Sequence, residues 1–507
     1  MFTLIPTKEP NTVNKREPIS RVGSATLPDF VNRHFQRSDA EYNHRQLYRI
    51  VKEGILRKAL PAGSRLPTSR ELAQTLGIAR NTIVQVYEQL ALEGLVQAGV
   101  GRGTYVAEVA PAFVSQPPLP RRRGTPLSRR GSAIVGGARA SHLQWGAFAP
   151  GVPELRQFPA ALWSRLQAQA WRDHNPLQLS YATGAGHPAL REAIAEHLQG
   201  TRGVACSADQ ILVTSGAQQA LHLISQLLAD PGDTVWLEDP GYWGARSVFR
   251  MAGLQLQPIA LDGEGLAPTP QQLKAPPRLM FISPSHQYPS CVLMGHGRRR
   301  QLLDYAVAQR VWIVEDDYDS EFRFTSRPLP ALQGLDEHGR VIYLGTFSKT
   351  MFPSLRLAYL VLPSDLADSF ARALSELFRE GQIMQQIVLA QFMRQGHYVN
   401  HIRRMRQVYG ERRRVLIDEI GQRLGTAVTV QGGDAGLHLV LGLPPGSDDD
   451  AIARQARKLG VLTRPLSLYS LRPDPARGLV LGYGAVTEQE IRHSFGLLAE
   501  VIAPHLP

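Results

Sequence analysis

Cysteine is nearly missing from this chain of 507 residues: Cys206 and Cys291 are its only two, too few for a disulfide framework or a cysteine-rich metal cluster. No metal site is expected, and a reducing cytoplasm is the expected compartment. Apolar runs of membrane-spanning length are also lacking, which excludes a spanning helix. The first residues, MFTLIPTKEPNTVNKREP, have no apolar core of the kind a secretory signal needs. Acidic residues are scarce only in one place. Residues 1–140 hold 10 Asp+Glu against 21 Lys+Arg, whereas residues 141–507 hold 34 against 35, so nearly all of the net charge of +12 lies in the first quarter. That asymmetry points to a nucleic-acid-binding module on a near-neutral body.

What is present divides into four parts. Residues 1–40 show no sustained period and read as an N-terminal tail. Within 41–108 three helical stretches follow one another. Leu47, Ile50, Val51, Ile55 and Leu56 mark the first, which Pro61-Ala62-Gly63 stops. Thr68 and Glu71 have capping-box spacing at the start of the second, and Gly77 ends it. The third opens near Ala79 and runs to Gly94. Two short helices joined by a tight glycine turn make a helix-turn-helix, whose third helix would present Arg80, Asn81, Thr82 and Gln85 to the DNA major groove. The segments 95–97 and 104–106 read as a hairpin wing with Arg102 at its tip. Arg65, Ser69 and Arg70 complete the candidate DNA contacts. Residues 109–144, rich in proline, glycine and arginine, read as a basic linker.

From 145 to 507 strands and helices alternate. The segments 210–214, 234–238, 278–283, 311–316 and 341–346 read as strands, with helices such as 217–228 and 297–309 between several of them. The fold class is therefore α/β, with a mainly parallel sheet. After about Pro363 longer helices, 364–378 and 384–424, and a short α+β tail suggest a smaller subdomain.

Chemistry concentrates at the predicted strand ends, where open α/β sheets carry their sites. Lys349 follows the strand 341–346 and offers an amine for a Schiff base, while Arg356 offers a guanidinium for a phosphate, the pair that pyridoxal phosphate requires. Ser215-Gly216-Ala217-Gln218 opens a helix whose free N–H groups suit a phosphate. Tyr242 supplies a ring beside the same crevice. Glu315-Asp316-Asp317-Tyr318-Asp319-Ser320-Glu321 packs five carboxylates into seven residues, which calls for a nearby positive group such as a protonated pyridine; a solvated acidic loop or a divalent-metal site would also account for it.

Two resemblances follow from these motifs. LPTSRELAQTLGIARNTIVQVYEQLALEGLV resembles the winged helix-turn-helix of GntR-type bacterial repressors, with Ala79 where that family usually has a capping serine. The order of the turn at 215–218, Tyr242, Asp316, Tyr318, Lys349 and Arg356 resembles fold-type I aminotransferases. The whole chain, with PSHQYPS and EDDYDSEF, is similar to the MocR subfamily, which fuses the two. That resemblance implies pyridoxal 5'-phosphate as cofactor, with Lys349 forming the aldimine and Asp316 pairing with the pyridine nitrogen. Tyr318 is then expected on the phenolic oxygen and Tyr242 on the ring, with Ser348, Arg356, Gly216, Ala217 and Gln218 around the phosphate. It further implies a homodimer on double-stranded DNA with paired half-sites, regulated by an amino acid, an amine or the cofactor itself. An active aminotransferase that also binds DNA is the alternative. Against turnover, Val480 stands where many aminotransferases clamp the substrate carboxylate with arginine; Arg464 is the candidate substitute. Cys291 stands where glycine usually follows Pro-Ser, and Ala358 where glycine is common after the arginine.

Overall fold

The computed structural model describes residues 27–35, 42–99, 103–108, 127–136, 145–181, 184–324, 330–379, 381–432 and 434–506. Arg102, Arg121-Arg122-Arg123 and most of the stretch read as linker lie outside them. The chain forms two compact units, 1–126 and 127–507.

In the first unit, α1 (Leu27–His34), α2 (Asn43–Leu56), α3 (Ser69–Leu76) and α4 (Arg80–Leu92) accompany a sheet of order β1-β3-β2, with β1 at Arg65–Leu66, β2 at Val96–Gly99 and β3 at Gly103–Val106. The expected helices are all present. Thr68 and Glu71 form the capping box of α3, and Gly77 ends it in the left-handed conformation at φ 63°. The wing pairs antiparallel from Val96↔Val106 to Gly99↔Gly103, further than read from the sequence, and β1 adds a third strand. The tail reading needs correction at α1. Its Leu27, Phe30 and Val31 recur at helical spacing and are buried in one core with Leu47, Ile50 and Leu72. Gly54 of α2 permits the close approach: a Cβ there would lie 2.7 Å from the Phe30 ring.

The second unit opens with α5 (Arg129–Gly136), a helix inside the stretch read as linker, where Ser128 Oγ accepts from Gly131 N at 3.0 Å. Its central sheet uses β4 (Ile211–Thr214), β5 (Thr234–Asp239), β6 (Gln255–Asp262), β7 (Gly265–Leu266), β8 (Leu279–Ile282), β9 (Trp312–Asp317), β10 (Val341–Thr346) and β11 (Ala358–Val361), in the order β4-β11-β10-β9-β8-β5-β6-β7. The pairs β10·β9, β9·β8, β8·β5 and β5·β6 are parallel, and β11 runs antiparallel to both β4 and β10. Alternation along the strands feeds both faces: Leu212, Ile342, Leu344 and Leu360 enter one core, and Val213, Tyr343, Tyr359 and Val361 the other. The flanking helices are α6 (Ala160–Arg172), α7 (Pro188–Arg202), α8 (Ala217–Leu228), α9 (Trp243–Met251), α10 (Pro270–Leu273), α11 (His296–Gln309), α12 (Ser364–Phe378), α13 (Ile383–Arg394) and α14 (His397–Leu424).

A second, antiparallel sheet of order β12-β13-β15-β14 holds β12 (Thr429–Gln431), β13 (His438–Gly442), β14 (Arg464–Pro465) and β15 (Gly478–Gly482), with α15 (Asp449–Lys458) and α16 (Glu488–Ile502). Phe370 and Leu374 of α12 are buried with strands of the large sheet, while Val388 and Phe392 of α13 join a core that also holds Leu439 and Leu481 of the smaller sheet, whose first strand starts at Thr429. The single helix expected over 384–424 is two, because Gly396 sits at φ 77° between α13 and α14.

Candidate functional site

The carboxyl ends of β4, β5, β8, β9 and β10 meet at one edge of the large sheet. The reversed strand β11 adds its beginning to that edge, since Ala358 pairs with both Thr346 and Thr214. A cavity of about 420 Å³ opens there, within the usual range for a small-molecule site. Ala217, Gln218, Tyr242, Asp316, Tyr318, Ser348, Lys349, Arg356 and Arg464 all line it.

Each wall has a local cause. No side chain caps α8 at its N-terminus, so its backbone donors face the cavity. Gly216 holds φ 96°, and a Cβ there would come within 2.7 Å of the Arg356 guanidinium. Arg356 itself donates to Ser215 O at 3.3 Å, which sets cation and helix end side by side. Tyr242 precedes α9, and its hydroxyl accepts from Gln218 Nε2 at 3.0 Å. Lys349 Nζ donates to Gly151 O at 2.7 Å. Burial lowers the Lys349 pKa, against the opposing pull of Asp319 and Asp316.

The acidic run is sorted by the strand. Asp316 is buried, and desolvation together with Asp317, Glu238 and Asp319 pushes its pKa up to about 8. Asp317 is also buried, but Arg202 meets its carboxylate at 2.8 Å and Tyr343 donates to it at 2.7 Å. Glu315 accepts from the backbone of Leu332 and Gln333, both at 2.8 Å. The Tyr318 hydroxyl lies 3.1 Å from His286 Nδ1.

In the first unit Arg65, Arg70, Arg80, Asn81 and Gln85 are exposed and Ser69 and Thr82 half-buried. Arg80 Nε donates to Ser69 Oγ at 3.2 Å, tying the start of α4 to that of α3. Arg65 lies beside Gly103 of the wing, where a Cβ would be 3.0 Å from Nε. Ala79 has the extended backbone of an N-cap, φ −63° and ψ 137°, without a side-chain bond to the helix.

Comparison with known proteins bears on both units. Residues 43–106 match the gntR family of bacterial regulatory proteins, and residues 157–493 match aminotransferase class I and II. A probable rhizopine catabolism regulatory protein, MocR, of Rhizobium meliloti is 39% identical over 457 residues, covering 90% of this chain and 92% of that protein. The chain belongs to the MocR family. It is a GntR-type DNA-binding transcriptional regulator with an aminotransferase-like body. The pyridoxine biosynthesis regulator PdxR of Corynebacterium glutamicum is 29% identical, covering 94% of this chain and 99% of that one. Among solved structures, the Pyrococcus horikoshii kynurenine aminotransferase superposes with a TM-score of 0.67 at 28% identity, over 73% of this chain and 96% of the enzyme. LysN, an α-aminoadipate aminotransferase of Thermus thermophilus, gives 0.67 at 26% identity, over 73% and 96%.

Of the residues expected in the body's site, all but Gly216 line this one cavity, and Gly216 lies against Arg356 at its edge; Val480 does not line it. It is fully buried with Val440, Leu466 and Tyr469 in the small sheet. Its neighbour in register, Arg464 on β14, does reach the cavity, with its guanidinium 6.0 Å from the Trp243 ring centre. The sequence reading missed Gly151, Tyr288, Asp319, Thr346 and His438, which also line the cavity. PSHQYPS and EDDYDSEF contained Tyr288 and Asp319; nothing local marks Gly151 or His438.

Proposed function

We propose that this MocR-family protein is a cytoplasmic, pyridoxal 5'-phosphate-dependent regulator whose body senses an amino acid, an amine or the cofactor itself. The observation that carries this reading is the convergence of Lys349, Asp316, Tyr318, Tyr242, Ser348, Arg356 and the α8 N-terminus on one cavity. The residues fit the group. Asp316 is a buried carboxyl surrounded by other carboxyls, and its raised pKa expresses the want of a cation beside it, which a pyridinium nitrogen meets. Gly216 and Arg356 leave a cationic, Cβ-free cradle of phosphate character at the end of α8.

When bound, pyridoxal phosphate supplies an aldehyde that captures amines and a ring that withdraws electrons from them. The chain's own groups do the rest. Burial lowers the pKa of the Lys349 amine, Gly151 O orients it, and Tyr242 and Tyr318 confine the ring plane. Arg464 holds the acidic group of an effector. Effector binding then shifts the occupancy of double-stranded DNA by the winged helices, whose contacts are Arg65, Ser69, Arg70, Arg80, Asn81, Thr82, Gln85 and Arg102. We infer a homodimer that reads paired half-sites. Val480 in place of a clamping arginine argues against efficient transamination.

Borohydride reduction of protein loaded with pyridoxal phosphate tests the reading. The peptide containing Lys349 should gain the mass of a reduced pyridoxyl group; an unmodified peptide refutes it.

A further inference from the structure

Beside His438, behind the cavity wall, lies a constellation that the reading above does not use. Cys291 Sγ is 3.4 Å from His438 Nε2, which is also 3.0 Å from Pro289 O. A carbonyl only accepts, so it fixes a proton on Nε2, which Pro289 O and the sulfur share; Cys291 Sγ itself lies 3.4 Å from Pro289 O. A second imidazole, His286, meets Asp319 Oδ1 through Nδ1 at 2.9 Å. Its other nitrogen, Nε2, is buried and makes no hydrogen bond among the described residues, while the ring interacts electrostatically with the Cys291 sulfur. The sulfur thus has one imidazole at hydrogen-bond distance and feels the charge of a second that is backed by a carboxylate.

This is not how a packing cysteine is housed. Burial alone would raise the Cys291 thiol, yet His438 and His286 bring it down to about 6. The same chain supplies the contrast: Cys206 has no such neighbours, and burial pushes it up to about 11. Cys291 also holds φ 62°, in the left-handed region that glycine takes most readily. A side chain is kept where the backbone disfavours one.

We propose that Cys291 is a modification site for hydroperoxides, held behind the wall of the effector cavity beside His438, which lines it. The thiol proton passes to His286 Nε2, the free nitrogen that Asp319 makes basic. The thiolate then attacks one peroxide oxygen. An S–O bond forms and the O–O bond breaks; sulfur is oxidised by two electrons to sulfenic acid, and the peroxide is reduced. The departing hydroxide, or the alkoxide of an organic hydroperoxide, takes the proton from His286 and leaves as water or as the alcohol. Gly432 packs so closely on the other side that a Cβ there would lie 2.5 Å from Sγ, so the added oxygen is directed toward His438, which lines the cavity. Oxidation thereby reaches the ligand site without moving a helix or strand. This holds whether or not the cavity takes pyridoxal phosphate.

The experiment treats the full-length protein with hydrogen peroxide and a sulfenic-acid trap at a series of pH values and quantifies both cysteine peptides by mass spectrometry. The groups facing Cys291 are His286, His438, Asp319, Tyr318 and Tyr483. At pH 7 Cys291 should be trapped at least about tenfold faster than Cys206, because thiolate fraction outweighs the lower intrinsic reactivity of an acidic thiol. From pH 7 to 9 the Cys291 rate should stay nearly flat while that of Cys206 climbs. Equal or slower trapping of Cys291, or a rise of about tenfold per pH unit over that range, overturns the proposal. His286→Gln should slow trapping at Cys291 alone. The comparison of two cysteines in unaltered protein decides the matter even where that variant fails to fold.

Discussion

Asp316 and Asp317 are consecutive on β9 and have opposite fates: Asp317 meets Arg202 at 2.8 Å, whereas Asp316 turns into the cavity with its pKa pushed up to about 8. Strand alternation separates them, and the separation assigns one to the scaffold and the other to the ligand. Asp317→Asn leaves Arg202 buried without its carboxylate and should cost about 3–5 kcal/mol in chemical denaturation. Asp316→Asn should spare the fold but weaken pyridoxal phosphate binding about tenfold or more in an absorbance titration, the scale of a lost charge-assisted bond.

The same pair gives a pH dependence. A carboxyl whose folded pKa is raised binds more protons folded than unfolded, so cofactor-free protein should lose stability as pH rises from about 4 to 8 through Asp316. Burial opposes ionisation of Asp317, but Arg202, Ser320 and Tyr343 hold its pKa below the ordinary value; its contribution is present above that value and is lost as pH falls through the folded pKa. Melting curves of cofactor-free Asp316→Asn should show a smaller decline toward pH 8, the remainder coming from Glu238 and Glu321, both pushed up to about 7 by burial.

Lys349→Ala removes the amine and leaves the winged-helix unit untouched. DNA binding should persist in a mobility-shift assay, and the effector response, typically worth about 5–150-fold in affinity, should vanish. A response of unchanged size would contradict the role given to Lys349.

In the reading proposed above, Arg356 serves the phosphate and Arg464, which also lines the cavity, serves an effector. Arg464→Gln should weaken binding of amino acids about tenfold or more while sparing the corresponding amines, read by spectral titration. Equal discrimination in both proteins would assign the acid group elsewhere.

Ala79 has N-cap geometry without a capping atom. Ala79→Ser should stabilise the winged-helix unit by about 1 kcal/mol in a thermal melt. A new phosphate contact would also steepen the salt dependence of DNA binding by about one unit.

Strong periodicity and clear punctuation made much of this legible. The helices at 217–228 and 364–378 and the strand at 341–346 lie where their patterns place them. Part of the candidate cavity's lining was readable because residues such as Lys349, Asp316 and Gln218 sit at strand ends and helix starts, each beside its own local signal. Elsewhere the deciding information is tertiary. Apolar spacing runs from 384 to 424 without interruption, and only the left-handed Gly396 divides it. Leu27, Phe30 and Val31 are too short a pattern to announce α1 until α2 is there to cover them. Cys291 and His438 are 147 positions apart, and nothing near either one names the other. The glycine-to-cysteine departure at 291 was the one visible trace.

The reversed strand β11 has a consequence for synthesis. It delivers Arg356 from its beginning, beside the finish of β4 made about 140 residues earlier, and Arg464 arrives a further hundred residues on. A chain still on the ribosome, or one cut short before residue 464, lacks part of the grip. Under the roles proposed above, a fragment that keeps Arg356 but ends before Arg464 has the cation for the phosphate without the one for an effector's acid group.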